Sequence, residues 1–278
     1  MVVVTPNDPN SYNFLAEIYI GAKEPCKVYI EQPAGDGLIA TYDIIKPYGT
    51  AVHRISTREY EVRGKEEKPE NLPLRIHSDK EIMVYFSTHA SATSEGYMAL
   101  PVNVLGNHYV HCSFNSNKEG NDGQHTGFII GAISDNTNVN IKLRGRNLGP
   151  TSGCVTDGAG HKIGDNFKLS LDKWQAINVW DEIENANIAK GVCDFTGTTI
   201  TSDEPIAVFS YHERTDIPLG AGNRDCLAEQ LLPVNLWGKE FISVQLKSKN
   251  LTGTASDVTD PLFVGDYFRV VASEPDTR

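Results

Sequence analysis

The sequence predicts an all-β protein made of tandem antiparallel β-sandwich-like repeats. Through most of the 278 residues, apolar and β-branched residues alternate with a period of two, the pattern of strands with one buried face. Segments rich in glycine, proline and aspartate separate these runs, which is typical of turns between short strands. Two linked segments also occur twice in the same order, which indicates an internal repeat.

The repeated segments are a strand pair and a turn that contains proline and glycine. The first reads Ser-Asp-Lys-Glu-Ile at 78–82 and Ser-Asp-Glu-Pro-Ile at 202–206. The second reads Leu-Pro-Val-Asn-Val-Leu-Gly at 100–106 and Leu-Pro-Val-Asn-Leu-Trp-Gly at 232–238. The predicted units are therefore a first β repeat at 1–126, a second β repeat at 127–262, and the truncated first strand of a third repeat at 263–278.

The alternation also places the individual strands. In the first repeat we expect strands at 14–20, 27–31, 39–45, 51–55, 74–77, 82–87, 97–100 and 109–114. In the second we expect them at 128–133, 139–143, 167–171, 175–179 and 199–209, with Phe128 aligned to Phe14. Residues 181–189 are a candidate short helix. Short strands at this spacing favour a sandwich, and the four-stranded meanders of a β-propeller are the alternative.

The composition excludes several classes of function. The formal net charge of -11 disfavours nucleic acid and anionic membrane surfaces as partners, because both require a basic face. No apolar run approaches the roughly 20 residues of a membrane-spanning helix, so membrane insertion is not expected. Residues 1–6 lack the basic region and the apolar length of a signal peptide, and we interpret the sequence as a processed or recombinant fragment.

The five cysteines include no C-x-x-C pair, which argues against a zinc site. Cys154 and Cys193 both lie in glycine-rich loop sequence, and we predict a disulfide between them. The alternative is a set of buried thiols in a reducing compartment. Asn250 begins an Asn-Leu-Thr sequon, which predicts a glycoprotein of the secretory pathway.

Motifs that carry catalysis are absent from the sequence, including G-x-S-x-G, H-E-x-x-H and a P-loop. We therefore predict no enzyme activity and no catalytic, cofactor-binding or metal-binding residue. Calcium is the one cofactor with some support, from the oxygen-rich loop 115–123 and from Asp257, Asp260 and Asp266. The loop lacks a bidentate glutamate at the required distance, so a solvated turn is the preferred interpretation.

Residues 196–209, together with Glu-Gln-Leu-Leu-Pro at 229–233 and Trp-Gly at 237–238, resemble the N-terminal domain of the IgG Fc-binding protein family. The likeness extends over residues 12–278. It implies a secreted, mucus- or surface-associated module with roles in cell adhesion, often beside von Willebrand D-type domains or bacterial sorting modules, and in the founding case binding of an antibody Fc. It also implies that the family domain continues beyond residue 278.

This sequence departs from the family pattern in one place. Family members often carry a cysteine shortly after the Val-Phe strand, paired near the position of Cys226, but residues 210–213 contain none. This sequence therefore lacks the partner that the family pattern implies for Cys226. The family motif also identifies no Fc-contact residue, so Fc binding cannot be assigned to any position of this chain.

We expect a non-enzymatic extracellular binding or adhesion module that presents loops from a rigid β scaffold to a protein or glycan partner. A structural subunit that self-associates into an extracellular gel, filament or matrix is the alternative, and a carbohydrate-active enzyme is less favoured. The charged segment 58–70 is interpreted as a solvated loop. The expected contact regions are the variable insertions of the repeat, at 58–70, 115–126, 144–166 and 211–228.

Overall fold

Seven of the eight strands of the first half (residues 1–110) form two antiparallel sheets. The computed structural model describes residues 1–119, 122–147, 154–182, 193–217, 224–244, 267–274 and 277, and its regular elements are strands and short 3-10 helices, as an all-β prediction requires. The strands of this half are β1 (Leu15–Ala22), β2 (Cys26–Gln32), β3 (Gly37–Ile44), β4 (Gly49–Ile55), β5 (Arg75–Ser78), β6 (Ile82–Ala90), β7 (Thr93–Ala99) and β8 (Gly106–Val110).

The second half (residues 111–244) repeats this succession with longer connections. Its strands are β9 (Asn117–Glu119), β10 (Asp122–Gln124), β11 (Thr126–Ala132), β12 (Thr137–Lys142), β13 (Arg146–Asn147), β14 (Asn166–Leu171), β15 (Ala176–Trp180), β16 (Cys193–Asp194), β17 (Thr199–Thr215) and β18 (Asp225–Gln230). The 3-10 helices of the chain are Arg58–Tyr60, Val102–Val104 and Val234–Leu236. The candidate helix at 181–189 lies mostly outside the described residues.

The two halves have the same strand order. The first half has sheets in the orders β4-β1-β6-β7 and β3-β2-β5. In the second half, β15-β11-β17-β18 and β14-β12-β17 repeat both orders, and the long strand β17 combines the roles of β5 and β6. These orders do not follow the chain sequentially, as propeller meanders would, so they support the sandwich. The predicted boundaries at residues 126 and 262 stay predictions.

The pairing register corrects the predicted alignment between β1 and β11, the first long strands of the two halves. Ile18 lies opposite Phe86 in the first half, and Phe128 lies opposite Ser210 in the second. Because Ser78 and Ser202 align in the repeated segment, Phe86 and Ser210 also align. Phe128 is thus the counterpart of Ile18, and its alignment with Phe14 is wrong. The error arose because Phe14 and Phe128 both stand at the start of an apolar run, and the sequence does not show which residues pair across the sheet.

β11 lies between two hydrophobic cores. Phe128 and Ile130 on one face belong to the core of the second half, and Ile129 on the other face belongs to the core of the first half. All seven residues of the strand are buried. Burial on both faces explains why this strand reads as a continuous apolar run and does not alternate.

β8 connects the halves in a second way. The strand follows β7 in sequence, yet it pairs with β17 of the second half, with Tyr109 opposite Ile200. The Tyr109 hydroxyl donates a hydrogen bond of 2.6 Å to the Ile206 carbonyl oxygen. A strand from the first half therefore completes a sheet of the second half.

Among the described residues, no helix is both long and apolar enough to span a membrane.

Candidate binding surface

Each of the insertions that the sequence offers as contact loops contains buried residues where the structure describes it. In segment 58–70, Glu61 and Val62 are buried and the Glu70 amide bonds to the Ala176 carbonyl oxygen at 2.8 Å. Thr156 and Glu213, from two other insertions, are fully buried. The interpretation of 58–70 as a solvated loop holds for the exposed Lys65, Glu66 and Lys68, but not for the buried Glu61, Val62 and Glu67, where the segment lies between the halves and contacts both.

A network of charged side chains lies between the two halves, in a region that we call the seam. Arg63 donates from Nε to a Glu61 carboxylate oxygen at 2.8 Å and forms a second ion pair with Glu213. Arg58 reaches the same Glu61 carboxylate at 3.0 Å. The opposite charges of Glu61 and Glu213 raise the pKa of Arg63 against the effect of burial, which lowers it. We therefore interpret these residues as a structural ion-pair network between the halves, in which opposite charges offset the cost of burial.

A buried histidine extends the network. Burial lowers the pKa of His125, but its hydrogen bond to Asp181 and the charge of Glu213 raise it to about 9. The His125 amide also donates to Glu213 at 2.9 Å. At neutral pH the imidazole is therefore protonated and paired with these carboxylates, so its charge contributes to the seam.

The predicted disulfide between Cys154 and Cys193 is confirmed, with a Cα–Cα distance of 5.1 Å. Both residues are buried, and the Ser116 amide bonds to the Cys193 carbonyl oxygen at 2.7 Å. The other cysteines are free thiols. Burial raises the pKa of the Cys226 thiol to about 12, which leaves it protonated and unreactive at neutral pH.

Replacing Cys154 and Cys193 together with serine is expected to lower the free energy of unfolding by about 2 to 4 kcal/mol, because the disulfide closes a loop of the unfolded chain. The two residues are separated by 39 positions in the sequence. Urea unfolding followed by tryptophan fluorescence measures the loss. Cys112→Ser, which changes a thiol outside the disulfide, is the control. Equal midpoints with and without reductant in the wild-type chain would contradict the expectation.

The calcium and glycosylation predictions are not decided by the structure. Asn250, Asp257, Asp260 and Asp266 lie outside the described residues. In the loop 115–123, the side chains from residue 117 onward are also outside them. Both therefore stay predictions.

Four apolar side chains on neighbouring strands of the first half are open to solvent. Tyr19, Met83, Tyr85 and Met98 point outward from β1, β6 and β7, and each is between 39% and 53% exposed. Tyr19 lies opposite Tyr85, which lies opposite Met98, so the three side chains form one row across the strands. We call the surface of these four residues the open face. We take the open face as the candidate binding surface, because contiguous exposed apolar side chains are a feature of interaction sites.

Charged groups border the open face. The Tyr19 hydroxyl donates a hydrogen bond to Glu17, and Arg54 Nε donates to the same carboxylate at 2.8 Å. The bond from Tyr19 lowers the pKa of Glu17, and the same bond raises the pKa of Tyr19. The carboxylate thus holds the Tyr19 side chain in place. A polar rim around aromatic and methionine side chains is the usual composition of a protein interface.

The corresponding face of the second half is covered. Ile129 lies opposite Phe209 in the same way that Tyr19 lies opposite Tyr85, and both Ile129 and Phe209 are fully buried. The first half provides the cover, with the Tyr97 ring centroid 5.2 Å from that of Phe209. Equivalent sheet faces are therefore buried in one half and open in the other.

Sequence reasoning missed the open face, although a signal was present. β1 and β6 carry large apolar residues on both faces, as in the run Ile18-Tyr19-Ile20 and the run Val84-Tyr85-Phe86. A strand that is apolar on both faces is expected to be covered on both. The outward residues of these strands could thus have been selected as contact residues.

Comparison with known proteins gives one match. A family model described as IgGFc binding protein matches residues 95–278. The matched region contains Met98 of the open face, and Tyr19, Met83 and Tyr85 precede it. No curated protein and no solved structure matches the chain.

Proposed function

Because the chain belongs to the IgGFc-binding protein family, we propose that it is a non-enzymatic binding module of a secreted, mucus- or surface-associated protein. Membership in a family of binding domains supports binding as the activity. The buried disulfide is compatible with an extracellular setting, where such bonds persist. In this proposal the module holds a protein partner, with a glycan as the alternative ligand.

The observation that carries the proposal is the open face. Tyr19 and Tyr85 supply large, rigid side chains that have an apolar ring and a polar tip, and Met83 and Met98 supply adaptable apolar surface. Burial of aromatic side chains at the centre of an interface contributes most of the binding energy of protein complexes. The tyrosine rings could also stack on sugar rings, which is the basis of the glycan alternative.

The family name identifies an antibody Fc as the first ligand to test. Tyr85→Lys places a charge at the centre of the open face and is expected to weaken binding at least tenfold, or about 1.4 kcal/mol. Biolayer interferometry of the immobilised chain with an Fc fragment, with mucin-type glycans, and with a partner purified on the chain from extracellular fluid measures the effect.

Leu38→Lys is the matched control, because Leu38 is an exposed apolar residue of β3 in the other sheet. It is expected to bind as the wild type does. Equal affinity of the Tyr85→Lys and Leu38→Lys chains for the bound partner would place binding elsewhere and refute the proposed surface. Circular dichroism of each variant verifies that the sheets are retained.

A further inference from the structure

The open face continues into a groove that ends on an acidic residue of the second half. This shallow groove, of about 530 Å³, is lined by Tyr19, Tyr85 and Met98, and also by Gly96 and Glu229. Glu229 belongs to β18, whereas the other four residues belong to strands of the first half. The groove therefore reaches from an apolar surface on one half to a carboxylate on the other.

A glycine opens the way between the apolar surface and this carboxylate. Gly96 precedes Met98 by two residues in β7 and so occupies the same face of the sheet. A Cβ atom at Gly96 would collide with the Phe86 carbonyl oxygen, so the strand admits no side chain at this position. With no side chain in between, Glu229 borders the groove directly.

The position of Glu229 relative to the open face is fixed by contacts between β18 and β7. At one end of the contact, the Thr93 hydroxyl donates a hydrogen bond to Asp225 at 2.9 Å. At the other end, the Leu100 amide donates to the Gln230 side chain at 2.7 Å. Glu229 lies between these two anchors in β18, so its backbone is held beside the groove before any partner binds.

The carboxylates at this end of the groove lack a positive partner. Within the described residues, Glu95, Asp225 and Glu229 form no ion pair. Burial raises the pKa of Glu95 and of Glu229, and a neighbouring carboxylate raises each further, Asp225 at Glu95 and Glu95 at Glu229. A cation placed among these groups would relieve the repulsion between them.

The charges elsewhere around the open face are balanced. Arg54 Nε donates to Glu17 at 2.8 Å, so these two charges compensate each other. Next to Met83, the adjoining groove is lined by Lys23 and Glu81, which have opposite charges. The uncompensated charge beside the open face is therefore negative and lies at its β7 end.

We propose that the open face binds a protein segment that combines apolar side chains with a lysine or arginine. The apolar side chains cover Tyr19, Tyr85 and Met98, and the cation lies over Gly96 next to Glu229. The aliphatic part of the basic side chain packs along the Tyr85 ring while its charged end reaches the carboxylate. This inference rests on the proposed function and adds the chemical class of the partner.

Charge complementarity favours this occupant over a glycan. A neutral glycan would cover the tyrosines but would leave the carboxylates at the β7 end without a cation. A sialylated or sulfated glycan would bring further negative charge to the same place and would be repelled. A basic protein segment satisfies both the apolar and the acidic part of the groove.

Two labelled peptides serve as probes, one of alternating leucine and lysine and one in which glutamate replaces each lysine. Fluorescence anisotropy at physiological salt is expected to show that the wild-type chain binds the lysine peptide about tenfold or more tightly than the glutamate peptide. Glu229→Lys is expected to weaken the lysine peptide about tenfold and to strengthen the glutamate peptide. Glu204→Lys, at an exposed position of β17, gives the same net charge and is the control.

Tyr85→Ser, which removes the ring without adding a charge, separates this inference from the proposed function. Weaker binding of the lysine peptide by both Tyr85→Ser and Glu229→Lys, relative to Glu204→Lys, would support both. If only Tyr85→Ser weakens it, the open face is a binding surface and the basic partner is refuted. If neither does, the proposed surface fails as well. A mucin-type glycan whose binding is weakened by Tyr85→Ser and unchanged by Glu229→Lys would overturn the inference in favour of a glycan. Circular dichroism verifies the fold of each variant.

Discussion

Replacing Glu213 with alanine is expected to lower the free energy of unfolding by about 3 to 5 kcal/mol, because it removes one of the two buried carboxylates that balance the charge of Arg63. Glu213 is fully buried and forms an ion pair with Arg63. It also accepts a hydrogen bond of 2.9 Å from the His125 amide. Urea unfolding at neutral pH measures the change.

The control for this substitution lies on the same strand. Glu204 of β17 is exposed, and Glu204→Ala is expected to change stability by less than about 0.5 kcal/mol. Adding Arg63→Leu to Glu213→Ala is expected to recover part of the loss, since the partly unbalanced charge of Arg63 is then removed while Arg58 still pairs with Glu61. A loss for Glu213→Ala no greater than for Glu204→Ala would show that the seam does not depend on this pair.

Acidification from pH 7 to about pH 4.5 is expected to cost about 2 to 3 kcal/mol for each of two buried histidines. Burial lowers the pKa of His111 to about 3 and that of His212 to about 4. The unfolded chain binds protons at these residues below about pH 6.5, and the folded chain does not. Their contribution is therefore present above that pH and is lost as the pH falls towards 4.

Burial favours the neutral form of both rings and outweighs the nearby charges of Asp194 at His111 and of Asp181 at His212, which favour the protonated form. His212 Nε2 donates to the Asn115 carbonyl oxygen at 2.9 Å, and its Nδ1 accepts from the Arg214 amide at 3.1 Å. Neither ring nitrogen of His111 has a hydrogen-bond partner in the described part of the chain. The ring of His111 packs against Phe128, with centroids 4.9 Å apart.

His111→Phe tests the acid effect, because it keeps a ring at this site and removes the titration. The difference in unfolding free energy between pH 7 and about pH 4.5 is expected to shrink by about 2 to 3 kcal/mol. His108→Phe, at an exposed position of β8 three residues earlier in the chain, is the control and should leave the difference unchanged. If both variants lose the same stability on acidification as the wild type, His111 is not the group responsible.

The sequence predicted the class of fold and the repeat, because both depend on local patterns. The period-two alternation of β12 and the recurring Leu-Pro-Val-Asn turn are readable within a few residues. The disulfide could also be predicted from the sequence, since Cys154 and Cys193 lie in similar loop sequence. These features need no knowledge of what lies beside them in space.

The candidate surface could not be predicted in the same way, because it depends on contacts between the halves. Segment 58–70 is rich in charge, and composition does not distinguish a solvated charge from one paired across a seam, as Arg63 and Glu213 are. The open face becomes visible only when it is compared with its buried counterpart in the second half.

The passage of β8 into the second half has a consequence for biosynthesis. The hydrogen bond from Tyr109 to Ile206 joins residues 97 positions apart. At a translation rate of about 5 to 20 residues per second, β8 leaves the ribosome about 5 to 20 seconds before its acceptor strand. During this interval its aromatic and apolar side chains are accessible to chaperones. The nascent chain thus depends on late-synthesised sequence to protect an early strand.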